Sequence, residues 1–298
     1  MSTYNGEKFL SNQLDSIFAQ TEVRVHLLIR DDGSSDSTLS IISHYMTLFP
    51  GKIDVVKGSN IGWRKSFFFL AKLAQENYPI YRYFAFADQD DIWLPGKLKR
   101  GIDTLKELPD GNNLYCSNVT NYKDGAALGN LRNVSINPTH KGCLIRNYAT
   151  GCTMVFNRRL LDLVCRELPQ ISIAHDYWFY MVACLCGSVV IDDESFIWYR
   201  IHDSNQVGFK SGFFEIWQRR LKSVSNLFNG HEKETTAKEL LRIHGGSMNQ
   251  EALNSVIKLA GYKDSIAKRI ALLCDNAYTY SSRSNDFWLK LRIISGKL

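Results

Sequence analysis

Tyr83-Phe84-Ala85-Phe86-Ala87-Asp88-Gln89-Asp90-Asp91 is the stretch on which the fold reading turns. Its first five residues are apolar and aromatic, the composition of a short buried strand. Three carboxylates follow at once. Acids crowded at the end of a buried strand repel one another and lose hydration, which is costly unless a cation sits among them. Mg²⁺ or Mn²⁺ suits such a place, because both take carboxylate oxygens together with phosphate. Taken alone, the run reads more readily as a solvated acidic turn, so its neighbours decide.

Upstream, residues 12–20 predict a helix and Val23 to Ile29 a strand. Asp31 to Asp36 is turn chemistry, with Ser35 or Asp36 as helix N-cap. Leu39, Ile41, Ile42, Tyr45 and Met46 recur at helical spacing, Ile53 to Val56 form a strand, and Lys65 to Glu76 a helix. Downstream, Pro95 suits the first turn of a helix running to about Leu108. Strands over 114–119, 153–156 and 188–192 and helices over 157–167 and 176–186 follow, with a polar loop or short hairpin at 128–147. The alternation predicts an α/β domain built on a mostly parallel sheet flanked by helices. After Gly212 no strand pattern remains. Phe213, Phe214, Trp217, Leu221, Val224 and Phe228 fall near helical spacing, so a domain over 1–208 is expected to carry a basic α-helical C-terminal extension over 209–298. In open α/β sheets, ligands bind beyond the carboxyl ends of the strands. Asp31-Asp32 and Asp88–Asp91 both fall at such ends, and on this topology they share one rim.

The bulk composition narrows the possibilities. With 45% hydrophobic and 22% charged residues, the chain has the make-up of an ordinary globular protein with a real core. No apolar run reaches the ~18 residues of a membrane span, and the N-terminus shows no charged-then-apolar leader. Seven scattered cysteines without a CxxC pair point to reduced, buried thiols in a cytoplasmic protein rather than to zinc. The net charge of +6 resides in the tail: residues 210–298 hold fifteen Lys/Arg against eight Asp/Glu. That excess has two readings, solvated basic faces on packed helices or contact with an anionic membrane surface. The basic residues are not interleaved with a recognisable nucleic-acid module, so no nucleic-acid partner is expected.

Several side chains along the rim carry candidate chemistry. Asp31 or Asp32 can accept hydrogen bonds from a nucleobase or a ribose, or simply cap the next helix. Arg64 and Lys65, after Asn60-Ile61-Gly62, can meet a diphosphate or lie on the surface. Asp176, in His175-Asp176-Tyr177-Trp178, can act as a general base or as a cap. His202 can ligate a metal through a neutral imidazole. Neither GxxxxGKS/T nor GxGxxG occurs, which argues against a P-loop enzyme and a dinucleotide site.

Taken in order, these motifs resemble the inverting glycosyltransferases of family 2, which have the GT-A fold. The resemblance runs from Met1 to about Gly208. Thr3-Tyr4-Asn5-Gly6 looks like the opening nucleotide-binding loop and DDGSSDST at 31–38 like the second nucleotide motif. Asp88-Gln89-Asp90-Asp91-Ile92-Trp93 looks like the DxD metal motif, and Thr150-Gly151-Cys152-Thr153-Met154 like the acceptor-side loop. HDYW stands where the family carries its catalytic acid, with His175 in place of the usual Glu and Asp176 kept. The ADQDDIW, HDYW and YRIHDSNQVG forms look most like bacterial rhamnosyltransferases of O-antigen and related surface polysaccharides.

The resemblance implies roles. The donor would be a nucleotide-diphosphate sugar, dTDP-L-rhamnose by likeness, held by Thr3, Tyr4, Asp31, Asp32 and Asp88, with Arg64 or Lys65 near the diphosphate. Asp90, Asp91 and His202 would hold Mg²⁺ or Mn²⁺. Asp176 would be the catalytic base, with Gly151, Cys152 and Trp178 on the acceptor side. The acceptor would be a lipid-linked oligosaccharide, reached by a cytoplasmic enzyme in peripheral contact with the anionic inner membrane. Alternatives within the same chemistry are transfer from another donor such as a UDP-hexose, or a truncated relative that binds nucleotide without turnover. One departure stands out. An apolar strand is expected immediately before the TYNG loop, and Met1 stands at its end, so the sequence reading expects a start further upstream or a shortened product.

Overall fold

Val-, Ile- and Leu-rich segments with helical runs between them build the first layer. The computed structural model describes residues 1–201 and 232–298. Strands β1 (Ser2–Thr3), β2 (Leu27–Asp31) and β3 (Ile53–Lys57) form a parallel sheet in the order β1-β2-β3, with Thr3 opposite Asp31 and Leu27 opposite Ile53. The connecting helices are α1 (Leu10–Phe18), α2 (Thr38–Leu48) and α3 (Trp63–Asn77). Leu10, Leu14 and Ile17 recur at helical spacing and bury the inner face of α1.

The second layer is a mixed sheet. It contains β4 (Tyr83–Ala85), β5 (Ile92–Trp93), β6 (Asn113–Lys123), β7 (Ala126–Asn130), β8 (Met154–Asn157) and β9 (Ser188–Arg200). The path is β4-β8-β6-β9-β5, with β7 as a hairpin partner of β6. β6 and β9 run parallel, whereas β8 runs against both β4 and β6. Helices α4 (Lys97–Glu107), α5 (His140–Ile145), α6 (Arg158–Cys165) and α7 (His175–Cys186) cover it. Strands β6 and β9 outrun their expected spans of 114–119 and 188–192. β9 continues past the expected end at 192 through Asp193 and Glu194, because the ladder with β6 shifts register between Cys116 and Asn118 and resumes at Ser195. The polar stretch 128–147 divides between the end of the β6–β7 hairpin and α5, whose first turn is capped by the Thr139 hydroxyl.

Between β2 and β4 no strand pairing joins the two sheets among the described residues. An apolar slot of about 180 Å³ lies there, lined by Met1, Leu28, Ala74, Tyr83 and Ala85 among others. At the place of the strand expected before the TYNG loop, the described residues hold the two-residue β1, Ser2–Thr3. The buried Met1 amine donates to the Leu28 carbonyl at 2.8 Å, and burial pushes its pKa down to about 5.

Helices α8 (Glu232–His244), α9 (Gln250–Ala260), α10 (Ile266–Leu273) and α11 (Arg283–Ser295) follow. They bury Ala237, Leu240, Val256, Leu259, Tyr262 and Ile293 in the same core as Leu144 and Phe179. Lys233 donates to the Tyr177 hydroxyl at 2.8 Å, and Lys141 pairs with Asp275 at 2.9 Å. These helices are therefore welded to the sheet layers rather than hung from them. The expected boundary at 208/209 and the apolar series from Phe213 to Phe228 lie outside the described residues, as does His202. No helix among the described residues is long and apolar enough to cross a membrane.

Candidate active site

The two acidic turns lie on one rim, stitched together by the opening loop. Asn5, at φ 46°, accepts from the Ser35 amide at 2.9 Å, and its own amide donates to the Ser34 hydroxyl at 3.0 Å. Gln89 clamps the other side: the Tyr4 amide donates to its Oε1 at 2.9 Å, and its Nε2 donates to the Tyr4 carbonyl at 3.1 Å. A Cβ on Gly6 would stand 2.5 Å from that same Gln89 oxygen, so glycine there permits the approach. Residues from three distant motifs thus make one wall.

Asp31 and Asp32 are buried and already occupied. Asp31 accepts from the Thr3 and Ser34 hydroxyls at 2.9 and 2.6 Å and from the Gly33 and Ser34 amides at 3.2 and 2.9 Å. Asp32 pairs with the buried Arg30 guanidinium and accepts from the Ile61 and Gly62 amides at 3.0 and 2.9 Å. Asp31 therefore fixes the turn, and Asp32 fixes the loop that opens α3. That loop sets Arg64 and Lys65 at the exposed start of α3. Arg64 lies over the Trp63 ring, and neither cation has an ion-pair partner among the described residues.

The second acidic turn differs. Beyond β4 the chain leaves the sheet at Phe86 and delivers Asp88 to Asp91 onto the rim. Asp91 is fully buried. Its Oδ1 accepts from the Arg200 amide at 3.4 Å, and its Oδ2 has no hydrogen-bond partner. Burial, then Asp90 and Asp88, holds the Asp91 carboxyl well above the usual range. Burial, Asp90 and Asp176 push Asp88 up to about 7. The Asp90 carbonyl accepts from Arg200 Nε at 2.9 Å.

Asp88, Asp91 and Cys152 bring one potential ligand atom each within 4.8 Å of one another. Burial and the two acids raise the Cys152 thiol well above its ordinary value, so a neutral thiol lines the cluster. A hard divalent ion prefers the carboxylates. A buried carboxylate oxygen without a donor, beside raised acids, is a setting that a divalent cation would satisfy, so the residues fit Mg²⁺ or Mn²⁺. Among the described residues Asp91 groups with Asp88, Asp90 follows in the same turn, and His202 lies outside the described residues.

Asp176 lies in the first turn of α7, against the loop of Gly151. It accepts from the Tyr177 amide at 2.6 Å, and the Gly151 amide and the Asn147 side chain also donate to it. Burial outweighs these bonds and pushes it up to about 6. A Cβ on Gly151 would meet His175 Nε2 at 2.8 Å, so glycine lets this loop seat against α7. His175 is buried with neither ring nitrogen bonded, stacked on Phe67 at 4.0 Å and edge-on to Phe86 at 4.6 Å. Burial lowers it to about 3, so a neutral, apolar-packed ring occupies the place of the expected acid. Trp178 is fully buried, 5.7 Å from His244, which places it in the core under α8.

Two participants lay outside the sequence reading. Gln89 appeared only as the spacer of Asp-x-Asp. Lys97 is fully buried with its ammonium 3.7 Å from the Trp93 ring centroid and no hydrogen-bond partner; burial lowers it to about 8 against the pull of Asp91 and Asp88. Its signal was available: Lys97, Gly101 and Leu105 share the buried face of α4 at i, i+4, i+8.

The opening loop, an acidic cluster and a separate buried carboxylate thus share one rim of an α/β fold with the layout of a GT-A sugar transferase. Comparisons with known proteins agree. Residues 1–163 match the model of glycosyl transferase family 2, and the chain belongs to that family. A dTDP-rhamnosyl transferase, RfbG of Shigella flexneri, is 33% identical over 246 residues, covering 79% of this chain and 82% of its own. Residues 1–349 of S. aureus TarS, solved with UDP-GlcNAc, superpose with TM-score 0.55 at 17% identity, covering 98% of this chain and 88% of that one. The mannosyltransferase PcManGT of Pyrobaculum calidifontis, solved with GDP-Man and Mn²⁺, gives TM-score 0.52 at 14% identity, covering 99% and 83%. The chain is a glycosyltransferase with a GT-A fold.

Proposed function

We propose that this enzyme transfers L-rhamnose from dTDP-L-rhamnose, with inversion, to a lipid-linked saccharide in O-antigen or other surface polysaccharide synthesis. The carrying observation is Asp176: a carboxylate raised to about 6, anchored to the Gly151 loop and near enough to Asp88 to raise that acid as well. The likeness to the Shigella transferase supports the donor. A lipid-borne acceptor implies work at the inner face of the plasma membrane, which the tail's cationic surplus favours.

The nucleotide lies against the loop of Thr3 and Tyr4 and the turn held by Asp31 and Asp32, with Arg64 and Lys65 toward the diphosphate. Asp88 and Asp91, with Asp90 beside them, would hold Mg²⁺ or Mn²⁺, whose positive charge offsets that of the departing diphosphate. Asp176 removes the proton of an acceptor hydroxyl. The hydroxyl oxygen bonds to the anomeric carbon as the carbon–oxygen bond to the diphosphate breaks on the opposite face, and the electron pair leaves with the diphosphate. The seat of Gly151 against α7 aims the base, and neutral His175 keeps a competing charge from its side. Proton transfer to a positioned base contributes about 10²–10⁴ in rate.

Donor turnover measured with Mn²⁺ or Mg²⁺ across dTDP- and UDP-sugars tests the donor. Preference for a UDP-hexose would replace rhamnose, and no turnover of any donor would favour a nucleotide-binding relative. Asp176→Asn should lower transfer by ~10³ or more while donor affinity stays within a few-fold. Retained turnover would remove Asp176 from the base role.

A further inference from the structure

The outward face of α10 is apolar. With 100° between successive residues, Ile266, Ile270 and Cys274 line up, flanked by Ala267 and Ala271. All five are exposed, Ile266 at 78% and Ile270 at 53%. The inward side carries buried Leu272. Charge stands only at the margins, Lys268 on one side and Arg269 on the other. Soluble helices ordinarily show the reverse pattern.

Helix α11 continues this surface. Its outward stripe is Arg283, Phe287, Lys290 and Ile294, at i, i+4, i+7 and i+11, and all four are exposed. Phe287 is 59% and Ile294 53% exposed. Leu289 and Ile293 bury the opposite side. Arg269 donates to the Ile294 carbonyl at 3.3 Å, so the two faces meet there. Arg283 and Lys290 have no acidic partner among the described residues, whereas Lys258, Lys263 and Lys268 of the same region each have one.

We propose that α10 and the outward stripe of α11 form the surface that seats the enzyme on an anionic phospholipid bilayer. Ile266, Ile270, Phe287 and Ile294 enter the acyl boundary, while Arg283, Lys290 and Arg269 meet lipid phosphates. Apolar residues interleaved with cations that have no acidic partner among the described residues match such a surface, which is apolar inside and negative at the headgroups. A second copy of the chain would bring the same cations face to face, so the charge favours the bilayer. The inference rests on the reading of a lipid-borne acceptor and locates the contact on these two helices rather than on the basic tail at large.

Flotation of the full-length protein with phosphatidylglycerol/phosphatidylcholine vesicles tests it, alongside vesicles of phosphatidylcholine alone. The protein should float with the acidic vesicles and at least ~10-fold less with the neutral ones. Changing Ile266, Ile270, Phe287 and Ile294 all to Ser, or Arg283→Glu with Lys290→Glu, should each cut flotation at least ~5-fold. These surface variants should keep soluble donor hydrolysis within two-fold. Cys274 serves as an internal reporter, because it alone among the described cysteines is exposed. Acidic vesicles should slow its alkylation by a water-soluble maleimide several-fold. Flotation unchanged in both variants, or slow alkylation without vesicles, would overturn the proposal, the latter because the face would already be covered. A dimer that dissociates in the Ser variant while flotation persists would overturn it too. Donor hydrolysis absent from the wild type, with flotation intact, would instead fault the transferase reading.

Discussion

The turn at Asp31–Asp32 and the turn at Asp88–Asp91 begin alike: acidic residues just past a buried strand, on one rim. They end differently. Every oxygen of Asp31 and Asp32 is met by an amide, a hydroxyl or the Arg30 guanidinium. Asp91 keeps a bare buried oxygen, and Asp88 titrates near neutrality. One turn spends its carboxylates on holding the rim in shape. The other leaves a buried carboxylate oxygen without a donor, which is what the proposed cation would need. Identical chemistry in the sequence therefore divides into scaffold and site according to how many donors fold back onto it.

The largest expected effect tests the scaffold half. Asp32→Ala strands the buried Arg30 and leaves the Ile61 and Gly62 amides unpaired, so denaturant unfolding should show a loss of about 3–5 kcal/mol. A loss under 1 kcal/mol would show that Asp32 does not organise the rim. Next comes the site half. Mn²⁺ at a hundred times its Kd should stabilise the protein by about 2.7 kcal/mol, read as a rise in melting temperature. Asp91→Asn should abolish most of that rise, and an unchanged response would place the ion elsewhere.

The smallest effect sharpens the contrast through pH. The folded pKa of Asp88, about 7, exceeds its ordinary 3.8. The folded state thus favours the proton, and stability from this group is lost as pH rises from about 4 through 7. Metal-free Asp88→Asn should therefore be more stable than the wild type at pH 8, by about 1 kcal/mol or more, and show no gain at pH 4. Asp31→Asn should show no such gain, and a gain there would erase the distinction between the turns. Asp176 adds the activity limb: with its pKa about 6, transfer should fall about tenfold per unit as pH drops below that value.

Much of this was legible because it is local. The 83–87 run, the Pro95 helix start and the 39–46 periodicity each fix their own element. Motif order then carried Asp88, Asp91 and Asp176 to one rim. What escaped depends on partners far away in sequence. Gln89 matters because Tyr4, eighty-five residues earlier, offers an amide and a carbonyl at the right spacing. Trp178 looked like a rim residue until α8 buried it. β9 runs through an acidic triplet because β6 pairs Ile191 before it and Ser195 after it, and the ladder shifts register around it.

By itself the sequence determined the α/β alternation, the rim and the kinds of residue on it, because propensity, turn chemistry and strand ends are properties of short segments. The tertiary structure decided which acids are free. Freedom depends on donors arriving from Thr3, Arg30 and Gly62 at one turn and failing to arrive at the other. It also decided that the tail shares the sheet's core, and that α10 and α11 turn apolar residues and cations outward. A helix's period fixes which residues share a face, and packing alone fixes which way that face looks.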